Sequence, residues 1–574
     1  MSVDVVEHME DVAPAEQPTR AEGGPLGPLL AVWGGIALVA LIVRALFLDR
    51  AALSPAEARY AFAAWEASHG ALDGSLSALG APLLSYLTTL LFFLFGANDV
   101  TARLVPLLAS VGLTLTPALL TATVGVRTTL LAGALLALSP IAVQLARVSD
   151  SASLSALVVM LIVASAIRLL IDRPSWSPWV LAISGGLALA TASETILGLL
   201  AAAIAAVSTW SVGRARLRGW LATAVGPSGR PFLLAALLTA AVAVTAAFME
   251  LRGVGFAIGD IWAGLLRVLT PTPVPSRNFA SLLVYGAVPL ALAGFAFVRG
   301  VRGGDRLALF LGQWTLLLIV LAAAFGQGVL ALALFPLAPM ALLAGQALAL
   351  LTVNWAPHRL SGSSWLIIGL TIVLGGVAIL STARAVSDAR ATPAIALAVV
   401  LITGLLVAFL WKQETPPEER VPALLTLCVG VFVLLTIGTI GRLSFGGSPP
   451  GSEILVRQET APELRARFDD LQILSIGDAR RLLLVDAATP IELRWYGRNL
   501  PQANMVRGSG DVPWTVRDAP PPDAASARAV TGRTPWTTIS RLDREDLHPL
   551  GVLQWLVSRK GLVEGQSRDI VVAQ

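Results

Sequence analysis

Long apolar runs separated by short polar segments dominate the chain from residue 28 to residue 445. Eleven of these runs are about 17 to 25 residues long, the length that a helix needs to cross the hydrocarbon core of a bilayer. The stretch 179–210 is too long for one span and is interrupted at Ser193 and Glu194, so it predicts two more. The pattern therefore predicts a mainly α-helical, polytopic membrane bundle of about 13 spans.

One apolar run, 81–96, is short, and its placement decides the orientation of everything after it. Short cytoplasmic loops are enriched in Arg and Lys. If 81–96 lies along the outer leaflet, Arg127, the arginine-rich loop 211–230 and Arg299 all face the cytoplasm; if it crosses, that loop lies outside. We therefore predict a juxtamembrane helix and a cytoplasmic N-terminus. The predicted outer segments are the first outer loop 49–102, the turn 147–152, Glu194, the loop 249–280, the turn 325–327 and the C-terminal region.

The two ends of the chain differ in charge from the middle. Residues 1–27 carry six acidic residues and one basic residue, which predicts a disordered cytoplasmic tail. Residues 446–574 have the composition of a soluble domain, with a predicted helix at 460–473, a strand at 481–486 and a helix at 490–499. We predict a small extracytoplasmic α/β domain there, after the transmembrane domain of residues 28–445.

Composition excludes a soluble multi-domain enzyme, because only 14% of the residues are charged and the mean hydropathy is +0.75. The sequence pI of about 9.7 arises from arginine in short loops, so it indicates topology and not a nucleic-acid partner. One cysteine and four scattered histidines provide no metal-ligand spacing. We expect an integral protein of the plasma membrane.

The first outer loop contains a candidate site. Ser54 followed three residues later by Glu57 is a capping box, which predicts a helix starting there. Helical spacing places Glu57 and Tyr60 on one face of it. A carboxylate at this place can act as a base near a lipid headgroup, or it can simply cap its own helix.

This loop also resembles a known group of proteins. The succession of "EARYA" at 57–61, "PLLSYL" at 82–87, "LFG" at 94–96 and "TARL" at 101–104 is similar to the first outer loop of polytopic GT-C glycosyltransferases of the protein O-mannosyltransferase and aminoarabinose-transferase type. The closest resemblance is to the flippase-activity-associated branch of archaea and Chloroflexi. It extends through Pro140, Arg147 and Asp150, through Pro336 and Pro339, and to "PIELRWYGRNL" at 490–500.

The resemblance implies a polyprenyl-phosphate sugar donor, a cavity facing outward, and an acidic catalytic base in the first loop. Related proteins usually have Asp-Glu where this chain has Ala56 and Glu57, and often a histidine at Gly80. The candidates for the base are therefore Glu57, Asp49 and, from the turn after the third span, Asp150. Asp150 has an alternative role as a cap of the next helix.

Other side chains on the predicted outer face complete the candidate site. Tyr60 and Glu194 are candidates to line the cavity, although Glu194 can equally lie in the outer interface. Arginine matches phosphate oxygens with its planar fork, yet each arginine can instead be an interface anchor. The candidate phosphate ligands are Arg59, Arg103, Arg147, Arg267 and Arg277.

Two functions from different classes remain. The first is a membrane glycosyltransferase that moves a sugar from a polyprenyl-phosphate donor to a lipid or protein acceptor on the outer face. The second is a non-catalytic membrane component that assists lipid-linked sugar flipping or surface glycan assembly, in line with the missing acid at position 56. A secondary transporter is a weaker third, because no duplicated pair of broken helices is evident. A divalent metal is left open, and the sequence indicates neither the sugar, the acceptor nor the oligomeric state.

Overall fold

The computed structural model describes most of the membrane region and parts of the C-terminal region. The described residues are 26–70, 76–172, 174–210, 229–267, 277–324, 331–353, 355, 357, 360–387, 393–445, 452–456, 458–460, 463–466, 468–469, 483–484, 491–498, 514–518, 530–542 and 563–573. Nearly all of the predicted tail 1–27 lies outside them.

Helices make up most of the described chain. In chain order they are α1 (Leu26–Ala45), α2 (Pro55–Ser68), α3 (Pro82–Phe95), α4 (Asp99–Leu115), α5 (Thr121–Val124), α6 (Val126–Ala137), α7 (Pro140–Ala146), α8 (Ala152–Ile171), α9 (Ser177–Ala188), α10 (Glu194–Trp210), α11 (Arg230–Val244), α12 (Gly253–Arg267), α13 (Arg277–Tyr285), α14 (Ala287–Gly303), α15 (Arg306–Ala324), α16 (Ala331–Leu334), α17 (Leu337–Leu351), α18 (Gly362–Ser387), α19 (Pro393–Glu414), α20 (Arg420–Ser444) and α21 (Ile491–Gly497). Two 3₁₀ helices span Leu76–Leu79 and Thr116–Leu120.

Side-chain caps and prolines determine where several of these helices begin. Ser54 caps α2, Asn98 caps α4 through the amides of Val100 and Thr101, and Ser139 caps α7. Each oxygen accepts from an amide that lacks a partner in the first helical turn. The predicted capping box at Ser54 is confirmed.

The core of the bundle lies around α17, which is buried along most of its length. Small residues allow the helices to approach closely. A Cβ on Gly345 would lie 2.5 Å from the carbonyl oxygen of Thr128, so α17 and α6 pack backbone against backbone at that point. This close packing is typical of membrane helices, where small residues replace the hydrophobic effect as the means of association.

A buried arginine stabilises the bend of 56° between α6 and α7. The chain breaks before Pro140, which frees the carbonyls of Leu136 and Ala137. Arg44 of α1 is fully buried and donates to both carbonyls at 3.1 Å, and its Nε donates to Ser110 Oγ at 2.9 Å. Because no water is available in the membrane interior, these hydrogen bonds are what make the break tolerable there.

Six helical segments of the described chain are long and apolar enough to cross a membrane, and counting each of two bent helix pairs as one span gives eight. Together with the mostly helical architecture, this makes the chain an integral membrane protein. The predicted interruption at Ser193 and Glu194 is confirmed, since α9 ends at Ala188 and α10 begins at Glu194. The run 81–96 forms α3, a helix of only 14 residues.

Most of the predicted outer segments meet at one end of the bundle. Glu57 of the first outer loop accepts a hydrogen bond from the amide of Ser149. If Gly80 carried a Cβ atom, that atom would lie 3.8 Å from the carboxylate of Asp260. A Cβ on Gly264 would approach the carbonyl of Ser193 to 2.7 Å. The loop 49–102, the turn 147–152, the α9–α10 break and the loop 249–280 therefore surround one place.

The described parts of the C-terminal region form a mixed sheet and a short helix. The strands are β1 (Gln458–Thr460), β2 (Leu483–Leu484), β3 (Trp514–Asp518), β4 (Val530–Leu542) and β5 (Val563–Ala573), in the order β1-β4-β5-β3-β2. The β2–β3 pair is parallel and the others are antiparallel, with register shifts in β4 near Pro535.

These elements match part of the expectation for the C-terminal region. Helix α21 lies within the predicted helix 490–499, and β2 lies within the predicted strand 481–486. The long strands β4 and β5 were not predicted. Half of the predicted helix 460–473 lies outside the described residues, and of the other half 463–466 and 468–469 are helical.

Candidate active site

Glu57 lies in the first turn of α2 and is completely enclosed. Its Oε2 accepts from the amide of Ser54 at 2.9 Å, and its Oε1 accepts from the amide of Ser149 at 2.9 Å. Arg103 of α4 donates from Nε to Oε1 at 2.8 Å and from Nη2 to Oε2 at 3.2 Å. Both oxygens of the carboxylate are therefore occupied by two donors each, and only 3% of the residue is exposed.

Electrostatics agree with this geometry. Burial alone would raise the pKa of Glu57, but the charge and hydrogen bonds of Arg103 and the two amides hold it below its usual range. A carboxylate that is permanently ionised and fully bonded is a poor proton acceptor for a substrate. The geometry suits an anchor that joins α2, α4 and the turn at Ser149, rather than the catalytic base expected for Glu57.

Three of the predicted phosphate ligands bind the protein's own backbone. Arg103 also donates to the carbonyls of Leu48, Ala51 and Ala52, at 3.0, 2.7 and 3.2 Å. This arginine therefore holds the chain between α1 and α2 in place and uses its donors within the protein.

Arg147 and Arg277 have the same kind of role. Arg147 is buried and donates to the carbonyls at the end of α1, those of Arg44, Leu46 and Phe47. Arg277 at the start of α13 donates to the carbonyls of Glu453, Ile454 and Val456. The expectation that Arg103, Arg147 and Arg277 bind donor phosphate is therefore not supported by their geometry. The side chain of Arg267, at the end of α12, lies outside the described structure.

Asp150 occupies the turn between α7 and α8 and is partly exposed. Its Oδ1 accepts from the amide of Ala152 at 2.9 Å, so Asp150 also helps to cap the start of α8, as in its alternative role. Burial, with the negative charges of Glu194 and Glu57, raises the pKa of Asp150 to about 6. A carboxylate with a pKa in this range can take up and release a proton near neutral pH.

Tyr60 interacts electrostatically with Asp150, Arg59 and Glu194. Tyr60 is buried and donates to the carbonyl of Leu79 at 3.3 Å. Burial and then the charge of Asp150 raise the pKa of Tyr60 to about 12, so its hydroxyl remains protonated. Arg59 is exposed, and its guanidinium carbon lies 5.3 Å from the centre of the Tyr60 ring. Four of the predicted site residues therefore meet: Asp150, Tyr60, Glu194 and Arg59.

Asp49 is not part of this group as described. Its side chain is exposed, its backbone carbonyl accepts from Arg465 at 2.9 Å, and its charge acts on Arg147. Ala56, at the position where related proteins usually have an acid, is exposed on α2.

Two groups of residues were missed by the sequence reasoning. Asp260 of α12 approaches Gly80 in the same region, and it lies in a loop predicted to face outward. Asp99 is buried at the start of α4 and binds Trp495 and Tyr496 of the distant helix α21. The contact between Asp99 and α21 could not be predicted from the sequence, because it joins residues almost four hundred positions apart.

Within the described residues, no three His, Cys, Asp or Glu side chains gather in a way that could hold a metal ion. Glu194 and Glu57 are the carboxylates that act on Asp150, and Glu57 is bound by Arg103.

Comparison with solved structures gives the fold. The structure of ArnT from Cupriavidus metallidurans bound to undecaprenyl phosphate matches with a TM-score of 0.52 and 19% identity, covering 83% of this chain and 86% of that chain. The chain has the GT-C glycosyltransferase fold. The apo form of the same ArnT matches with a TM-score of 0.51 and 18% identity, over 82% of this chain and 85% of that one.

A further solved structure is only weakly similar to this chain. It is the Archaeoglobus fulgidus oligosaccharyltransferase solved with zinc and sulfate, with a TM-score of 0.36 and 16% identity over 56% of this chain and 49% of that one. No protein-family model and no curated protein sequence matches the chain. The similarity to solved GT-C structures therefore concerns the fold of this chain and not its activity.

Proposed function

We propose that the protein transfers a sugar from a polyprenyl-phosphate donor to a lipid or protein acceptor on the extracytoplasmic face, with Asp150 as the base. The observation that carries the proposal is the partly exposed carboxylate of Asp150, whose pKa of about 6 suits proton transfer, and which acts together with the exposed Arg59 on the buried Tyr60. The GT-C fold, shared with an ArnT structure that holds undecaprenyl phosphate, supports the class of donor.

The proposed reaction uses the charges of the site in one displacement. Asp150 accepts the proton from an acceptor hydroxyl or amine, and the lone pair thus released attacks the anomeric carbon of the sugar. The bond between that carbon and the phosphate oxygen breaks, and the electrons remain on the polyprenyl phosphate that leaves. Arg59 binds the phosphate oxygens and stabilises their charge. The ring of Tyr60 lies against Arg59, and burial, with the charge of Glu194, keeps the pKa of Asp150 raised.

The proposal includes a topology of about 13 spans with a cytoplasmic N-terminus. Its main support is the contact between Glu57 and the amide of Ser149. If α3 crossed the bilayer, the loop before it and the turn 147–152 would lie on opposite sides of a hydrocarbon core about 30 Å thick. A juxtamembrane α3 leaves both on the same side. Residues 446–574 then form an extracytoplasmic α/β domain, in line with the contacts that Tyr496 and Arg465 make with the first outer loop.

The non-catalytic alternative has its own supporting observation. Ala56 stands where related proteins have an acid, and the adjacent Glu57 is bound by Arg103. If Asp150 is not a base, the same fold can bind a lipid-linked sugar and assist its flipping without breaking the glycosidic bond.

Mass spectrometry of lipids that co-purify with the protein, followed by a turnover assay with the lipid-linked sugar found, tests the proposal. We expect a polyprenyl-phosphate sugar and its conversion to polyprenyl phosphate when acceptor lipids or proteins are added. Binding without conversion supports the non-catalytic alternative, and the absence of any polyprenyl-phosphate lipid contradicts both functions.

A further inference from the structure

Helix α21, far along the chain from the candidate site, is buried against α2 and α3. Trp495 is completely enclosed, and its ring stacks on Phe92 with 5.8 Å between the ring centres. It shares a hydrophobic cluster with Leu53, which lies just before α2, and with Phe62 and three alanines of α2. The helix therefore belongs to the packing of the first outer loop.

Asp99 at the start of α4 joins α21 to the membrane helices. Its Oδ1 accepts from Trp495 Nε1 at 2.8 Å, and its Oδ2 accepts from the Tyr496 hydroxyl at 3.0 Å. Arg465 lies 3.6 Å from Oδ2. The residue is 6% exposed and lies at the positive end of the α4 dipole.

Tyr496 and Thr460 hold both backbone groups of Leu53. The amide of Leu53 donates to the Tyr496 hydroxyl at 2.7 Å, the same hydroxyl that donates to Asp99. The carbonyl of Leu53 accepts from Thr460 Oγ1 at 2.6 Å. Leu53 directly precedes Ser54, the cap of α2, so two residues of the C-terminal region hold the backbone just before α2.

The contacts continue from Ser54 to Asp150. The amide of Ser54 donates to Oε2 of Glu57, and the amide of Ser149 donates to Oε1 of the same carboxylate. Ser149 Oγ also donates to the carbonyl of Ala102 at 2.8 Å. Because these groups are buried, leaving one donor unpaired is costly.

We propose that Tyr496 and Thr460 are positioning residues of the site: by holding Leu53 they set the place of Glu57, and through the Ser149 amide the place of Asp150. The inference rests on the proposed function for its catalytic meaning, but the mechanical coupling can be measured without any substrate. It assigns the C-terminal region a direct contribution to the geometry of the site.

Hydrogen exchange of the full-length protein in detergent tests the coupling. The variants are Tyr496→Phe, which removes one hydroxyl, and Thr460→Val, which keeps the shape and removes the other. We expect amide exchange at residues 49–54 and at Ser149 to become about tenfold faster in each, since one buried hydrogen bond is lost. Tyr86→Phe is the matched control, because Tyr86 donates to the carboxylate of Glu250 at 2.8 Å and has no contact with Leu53.

The outcomes separate the two claims. Faster exchange at 49–54 with unchanged exchange at Ser149 overturns the coupling, and so does the same acceleration at Ser149 in the Tyr86 control. If Tyr496→Phe does not fold, Thr460→Val decides alone. If the exchange result is as expected but the wild-type protein converts no lipid-linked sugar, the coupling holds and the proposed function fails.

A kinetic measurement distinguishes positioning from general loosening. In Tyr496→Phe, kcat should fall about tenfold and KM for the lipid donor should change less, because a misplaced base affects the transition state more than donor binding. The acidic limb of the pH–rate profile should also move below pH 6, because a displaced Asp150 is less buried and lies farther from Glu194. An unchanged limb with a uniform loss of active protein would overturn the positioning role.

Discussion

Replacing Asp150 by asparagine should stabilise the protein above pH 6, although it removes the proposed base. The raised pKa means that the folded protein binds the Asp150 proton more tightly than the unfolded chain does. The stabilising contribution of that proton is complete below about pH 4 and is lost as the pH rises through about 6. At pH 8 the ionised carboxylate of Asp150 therefore lowers the free energy of unfolding, whereas the neutral amide of asparagine does not.

The size of the effect follows from the shift. The pKa rises from 3.8 to about 6, roughly two units at about 1.4 kcal/mol each, so the upper bound is about 3 kcal/mol. Asparagine keeps an oxygen for the Ala152 amide, so the cap is preserved. Partial exposure of Asp150 screens the charge, and we expect about 2 kcal/mol of the gain to be measurable.

Thermal unfolding in detergent, followed by tryptophan fluorescence at pH 8 and at pH 4, measures the gain. We expect Asp150→Asn to melt a few degrees above the wild type at pH 8 and to match it at pH 4. Asp305→Asn is the control, since Asp305 also accepts from backbone amides but is exposed, and it should not change the melting temperature at either pH. A variant of Asp150 that is equally stable or less stable at pH 8 would refute the reasoning.

Three further outcomes are expected. Glu57→Gln should destabilise the protein by about 3–5 kcal/mol, because it breaks a buried pair with Arg103. Glu250→Gln should cost far less, because Glu250 is only half-buried, and equal melting temperatures of the two variants would contradict the anchor role. The transfer rate of the wild type should rise with pH through about 6 as Asp150 ionises, and a rate that falls over this range would exclude Asp150 as base. Arg59→Ala should weaken binding of polyprenyl phosphate about tenfold by titration and leave the melting temperature unchanged, since Arg59 is exposed; undiminished binding would remove Arg59 from the phosphate site.

Local signals in the sequence were reliable guides to local structure. The capping box of Ser54 and Glu57 involves residues three positions apart, so a few neighbours determine it. The break at Ser193 and Glu194 follows from an ionisable group within an apolar stretch, and the structure begins α10 there. The gathering of Asp150, Tyr60, Glu194 and Arg59 was also anticipated in part, because topology assigns all of them to one face.

The roles of the arginines show what the sequence could not reveal. An arginine in an outer segment has the same chemistry whether it faces a phosphate or the carbonyl ends of a helix. Arg103 and Arg147 bind carbonyls between residues 44 and 52, a part of the chain in which the helical hydrogen bonds end and Phe47 has a positive φ of 53°. Only tertiary structure reveals such unpaired carbonyls as the competing acceptors.

The same limitation applies to Glu57 and to the C-terminal region. The sequence shows an acidic residue at Glu57 but not its partners. In the structure, Arg103 and the Ser149 amide occupy both oxygens of the carboxylate. The contact of Asp99 with Trp495 and Tyr496 depends on how the C-terminal region folds back on the first outer loop, which no local pattern encodes.

Turnover of a polyprenyl-phosphate sugar by purified wild-type protein and by Asp150→Asn, with Asp305→Asn as the control, tests the central claim most directly. The account predicts that Asp150→Asn loses at least about a hundredfold in rate, keeps its affinity for the lipid and remains folded, while the control retains full activity. Turnover by Asp150→Asn at the wild-type rate would contradict the claim that this carboxylate is the base.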